Sequence, residues 1–116
     1  MTDGSPRDCS DRTVLACEVE PEREVVRVRP AGELDMATVR VLEGQIQQLR
    51  RAGFRRMIVD LSKLEFMDAA GLRLILALDA EARQDGFSIA FVPGPPSVMR
   101  VFEVTRTAGR INFTEP

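Results

Sequence analysis

At 116 residues with 44% hydrophobic side chains, the chain has the length of one domain and the apolar content to build its own core. Its 18 acidic and 16 basic residues are interspersed and leave a formal charge of −2, which gives no electrostatic footprint for nucleic acid. With no histidine a Ser/His/Asp triad is impossible, and two cysteines make no disulfide framework.

Residues 1–12 are rich in Asp, Ser, Gly, Pro and Arg and read as a flexible leader with too little apolar area to order itself. They hold no apolar run behind a basic start, so no secretory signal is read and a cytoplasmic location is expected. No stretch approaches the ~20 apolar residues of a bilayer span, so no membrane insertion is expected.

A domain is expected over 13–116. Val14, Leu15, Ala16, Cys17 and Val19 read as a first strand that ends near Pro21. Residues 24–29 alternate, with Val26 and Val28 facing one way and Arg27 and Arg29 the other, as in a half-exposed strand. The Glu20-Pro21-Glu22-Arg23 link joins the two as a hairpin. Gly32-Glu33-Leu34-Asp35 is a loop, and from about Thr38 the spacing of Val39, Leu42, Ile46 and Leu49 predicts an amphipathic helix that Gly53 stops. The apolar run over 56–61 reads as a strand covered on both faces.

A second, deeply buried helix is predicted over about 71–84, ended by Gly86, with a strand over 87–92 behind it. Pro93-Gly94-Pro95-Pro96 is a rigid turn. A third helix from about Ser97 turns Val98, Val101, Phe102 and Thr105 inward, and Ile111 with Phe113 suits a last edge strand. Alternating strands and helices demand right-handed crossovers. The fold class is therefore α/β: one domain with a mixed, mostly parallel sheet, an N-terminal β-hairpin and three to four helices.

One junction stands out. A buried strand runs into Asp60-Leu61-Ser62-Lys63-Leu64-Glu65-Phe66-Met67, then Asp68-Ala69-Ala70-Gly71-Leu72 enters a buried helix. Carboxyl ends of strands are where open α/β sheets meet ligands and partners. Asp68 occupies an N-cap position, and the small Ala69, Ala70 and Gly71 permit close approach. A capped helix start with no role beyond the fold explains the same residues, and the junction alone leaves both readings open.

Four ordered motifs carry a resemblance. Gly32-Glu33-Leu34-Asp35, Ile58-Val59-Asp60-Leu61-Ser62, Phe66-Met67-Asp68-Ala69-Ala70-Gly71-Leu72 and Pro96-Ser97-Val98-Met99-Arg100-Val101-Phe102 resemble the G-E-L-D, D-L-S, F-M-D-S-S-G-L and third-helix segments of anti-sigma factor antagonists, the STAS family. The resemblance implies a regulatory binding protein and no enzyme, cofactor or metal. It implies as partner an anti-sigma factor with a kinase-like ATPase fold, whose capture frees a sigma factor, and a chain that is a monomer or weak dimer. Partner-binding residues carried over are Gly32, Glu33, Asp35, Phe66, Met67, Asp68, Ala69, Ala70, Gly71 and Leu72.

In that family the residue after the motif's Asp is the phosphorylated hydroxyl. Here it is Ala69, followed by Ala70, so no phosphorylation is expected at that position. Ser62 and Thr38 read as residues that bond local backbone. Phe66 and Met67 suit either an exposed apolar contact pair or the core. The missing hydroxyl also admits a second reading, a STAS-type scaffold or transporter-associated subunit in a signalling or lipid-transport complex. A small α/β enzyme would need a nucleophile or base at the strand ends, where only carboxylates and scattered hydroxyls stand.

Overall fold

In the computed structural model, which describes residues 15–115, the N-terminal alternation becomes an antiparallel hairpin of β1 (Leu15–Glu22) and β2 (Val25–Leu34). The expected leader, and Val14, lie outside the described residues. Pairing runs from Leu15↔Gly32 to Glu22↔Val25, so the turn falls at Arg23-Glu24, later than the link expected at 20–23. Pro21 is tolerated inside the ladder because β1 is an edge strand. Arg23 closes the turn with a φ of 46°.

The register sorts the side chains. Val26 and Val28 on β2 are fully buried, as are Met57 and Val59 opposite them on β3 (Arg56–Asp60). The chain then forms β4 (Leu64–Met67), α2 (Ala69–Asp85), β5 (Ser88–Val92), α3 (Pro96–Val104) and a 3-10 turn at Ala108–Arg110. α1 (Val39–Arg51) buries Leu42, Ile46 and Leu49, and α2 buries Leu72, Leu74, Ile75 and Leu78, all in one cluster with the sheet's apolar face. That cluster also takes in Ile89 and Phe91 of β5 and Val98 and Phe102 of α3. The sheet order is β1-β2-β3-β5. β2 pairs in parallel with β3 through its first half and with β4 near its end.

Five expectations need correction. The loop expected after β3 contains β4, a strand of four residues. α2 starts at Ala69, two residues before the predicted helix, because Asp68 caps it. Phe113 makes only an isolated bridge to Phe91 in place of a last strand, with its ring edge-on to Phe102 at 5.4 Å. β3 is not apolar on both sides: Ile58 is half-buried, and the carboxylate of Asp60 faces Arg27 and Arg29. Thr105, expected to face inward, is the exposed C-cap of α3 and donates its hydroxyl to the Val101 carbonyl at 2.7 Å.

Candidate functional site

β2 and β4 deliver two loop ends to the same place. After Leu34, the Asp35 carbonyl accepts from the amides of Thr38 and Val39, at 3.0 and 2.9 Å, and this folds the chain into the start of α1. The buried Thr38 hydroxyl locks the turn: it donates to the Glu33 carbonyl at 2.7 Å and accepts from the Asp35 amide at 2.9 Å. The Asp35 carboxylate accepts from the Ala37 amide at 3.0 Å, an Asx-type arrangement. Thr38 therefore bonds local backbone, as the sequence leads one to expect. Met36 is left outside, 76% exposed.

Asp68 ties this turn to α2. One carboxylate oxygen accepts from the Gly71 amide at 3.1 Å, which satisfies a free donor of the helix's first turn. The other accepts from the Met36 amide at 3.3 Å. The Asp68 amide in turn donates to the Leu34 carbonyl at 3.2 Å. The backbone and the side chain of one Asp thus hold the start of α2 to the Leu34–Met36 segment, the side-chain bond joining residues 32 apart in sequence. The product is a ledge on which Ala69 is exposed and Ala70 half-buried, with Met36 on one side.

Gly71 has no alternative at its position. A Cβ there would lie 2.6 Å from Met67 Cγ and 2.7 Å from the Leu34 carbonyl oxygen. The helix start is therefore packed directly against β2, and the Gly carries a close approach rather than an accessible surface. Gly32 adopts a φ of 115° where the β2–β4 register shifts.

The structure divides the carried-over residues. Glu33, Phe66 and Ala69 are exposed, Gly32, Asp35, Asp68 and Ala70 are intermediate, and all of them lie around the ledge. Phe66 pairs with Glu33 across the strands and is 48% exposed. Met67, Gly71 and Leu72 are corrected to the interior. Met67 pairs with Leu34 on the core face and is 2% exposed, and Leu72 belongs to the same cluster. Met36 is the ledge residue that the sequence reading passed over. The signal available was an apolar side chain in the turn between Asp35 and the helix, with no place in the helical stripe.

Behind the ledge, Asp60 ends β3 almost fully buried. Burial pushes its carboxyl up, yet hydrogen bonds from Ser62 and from Arg29 outweigh that and hold it below the usual carboxylate range. Arg29 bridges Asp60, at 3.2 Å, to Glu18, at 2.8 Å, so the face of the sheet away from the helices is laced with charge. Cys17 is half-buried, and burial raises its thiol to about 11, which leaves it a poor nucleophile at neutral pH. Among the described residues no three of His, Cys, Asp and Glu gather to hold a metal ion, and no helix is long and apolar enough to cross a membrane.

Comparisons with known proteins bear on this arrangement. A family model described as "Mlab, STAS domain" matches residues 17–112. An anti-sigma F factor antagonist of Paenibacillus polymyxa is 32% identical over 92 residues, covering 78% of this chain and 79% of the relative. An anti-sigma-B factor antagonist of Staphylococcus aureus is 29% identical over 91 residues, covering 78% and 84%. Among solved structures, an anti-sigma factor antagonist from Mycobacterium paratuberculosis superposes with a TM-score of 0.77 at 26% identity, covering 93% of this chain and 91% of that one. The unphosphorylated form of the antagonist SpoIIAA does so with a TM-score of 0.70 at 25% identity, covering 87% and 88%.

Proposed function

Because the chain belongs to the STAS-domain family and resembles its anti-sigma factor antagonists, we propose that it works as one: its ledge docks on an anti-sigma factor of kinase-like ATPase fold and so releases a sigma factor. It acts without catalysis, in the cytoplasm. The observation that carries this reading is Asp68, whose carboxylate bonds both Met36 and Gly71 and so presents Ala69 on a fixed, small-residue surface.

Ala69 stands at the position where the family resemblance places a phosphorylated hydroxyl, and Ala70 offers none either. A phosphate there would add roughly −1.5 to −2 charges. The helix N-terminus tolerates such charge, but a partner surface fitted flush against alanine would not. The chain is accordingly fixed in its binding-competent form at this position, and its amount sets its effect.

The test is co-purification with purified anti-sigma factors, with and without ATP. A stable complex that ATP neither dissolves nor accompanies with phosphate on this chain supports the proposal. Phosphate incorporated elsewhere on the chain, with loss of the complex, contradicts it. The second reading, a scaffold or transporter-associated subunit, draws on the same missing hydroxyls. Recovery of a membrane permease as the stable partner would favour it.

A further inference from the structure

The ledge has a charge pattern as well as a shape. The carboxylates of the outer sheet face are committed: Glu18, Glu20, Glu22 and Asp60 pair with Arg27 or Arg29. Glu81, Asp79 and Asp85 are likewise paired along the helices. Glu33, Asp35, Glu65 and Asp68, which β2, β4 and the two helix starts bring together, form no ion pair among the described residues. Among the same residues Glu24, Glu43, Glu103 and Glu115 form none either but are scattered elsewhere, and the exposed Lys63 just before β4 is the nearest unpaired cation in sequence. Asp35 bonds the Ala37 amide and the Thr38 hydroxyl and Asp68 the Met36 and Gly71 amides, while Glu33 and Glu65 are exposed.

Two of the four large apolar side chains exposed among the described residues, Met36 and Phe66, stand in the same neighbourhood. Met36 is held by its amide to the Asp68 carboxylate, and Phe66 lies beside Glu33 in the ladder. Apolar anchors within a charged rim are the anatomy of a protein interface, where Met and aromatic side chains are enriched.

Resting on the functional reading above, we infer that the docking face of the protein partner is basic, with an apolar socket for Met36: Glu33 and Glu65 steer the encounter and Met36 anchors the complex. Unpaired charge at the edge of an interface acts mainly on association, whereas a desolvated anchor acts mainly on dissociation. The two roles therefore separate kinetically.

The experiment is stopped-flow or surface-plasmon measurement of association and dissociation rates with a purified anti-sigma factor that the wild-type chain binds. The association rate should fall at least about tenfold between about 50 mM and about 500 mM NaCl. The double variant Glu33→Lys/Glu65→Lys should start at a low rate and lose that salt dependence. Glu24→Lys, in the hairpin turn at the opposite end of β2, should behave as wild type. Met36→Ala should raise the dissociation rate about tenfold or more with little change in association, and Met36→Leu should restore it.

A salt-independent association rate, a Glu33→Lys/Glu65→Lys variant no different from Glu24→Lys, or an unchanged dissociation rate in Met36→Ala overturns the inference while leaving the functional reading intact. Failure of the wild-type chain to bind any anti-sigma factor overturns the functional reading itself, and this inference with it.

Discussion

Replacing Gly71 by alanine sets two opposed effects against each other at the base of the ledge. In a helix interior alanine gains about 1 kcal/mol over glycine. Here the new Cβ would lie 2.6 Å from Met67 Cγ, 2.7 Å from the Leu34 carbonyl oxygen and 3.1 Å from Leu34 Cγ. Met67 is sealed in the core, and the Leu34 carbonyl already accepts from the Asp68 amide, so neither neighbour yields freely. Overpacking of this kind costs about 1–3 kcal/mol, and loosening the Asp68–Leu34 bond adds about 1 kcal/mol.

The clash wins, and Gly71→Ala should destabilise the domain by about 1–3 kcal/mol. Gly44, in the middle of α1, is the internal control: it is exposed, and a Cβ there meets nothing within 4 Å. Gly44→Ala should therefore stabilise by about 0.5–1 kcal/mol. Urea denaturation of both variants gives the signs directly. If Gly71→Ala proves as stable as wild type or more so, the helix start does not lie against β2 as described, and the geometry of the ledge is wrong.

Asp68→Ala should lose about 1 kcal/mol through the missing cap, by urea denaturation, and any binding defect should exceed that of an equally destabilised core variant. Asp60 is held below its ordinary carboxylate value, so its contribution is present above the unfolded-chain pKa near ~3.9 and is lost as pH falls through the lower folded value. Stability of wild type should accordingly drop more steeply on acidification below about pH 4 than that of Asp60→Asn; parallel acid limbs would refute the assignment. Ala69→Ser, incubated with ATP and a kinase-like anti-sigma factor, should take up phosphate that wild type does not, read by intact mass.

Much of the scaffold was open to sequence reading because its periods are clean. Val26 and Val28 against Arg27 and Arg29 announce β2 and its two faces, and Leu42, Ile46 and Leu49 announce the buried stripe of α1. β4 escaped for a physical reason. Gly32 pairs with Leu64 but Glu33 pairs with Phe66, so Glu65 is an extra residue bulged out of the ladder. Leu64 and Met67 both reach the core at a spacing of three, which imitates no strand.

The ledge was legible as a motif, with Asp68 as cap and Ala69 beside it. Its construction was not, because the Met36–Asp68 bond joins residues 32 apart and depends on tertiary closure. The same applies to Met67 and Phe66, neighbours whose opposite fates follow from the face each takes in β4.

The central claim is that another protein sits directly on Ala69. Isothermal titration of a purified kinase-like anti-sigma factor with wild type and with Ala69→Glu tests it most directly, since a carboxylate on that exposed alanine keeps the fold but adds bulk and negative charge. The account predicts a complex with wild type and affinity at least about a hundredfold weaker with Ala69→Glu. Equal affinity of the two proteins would contradict it.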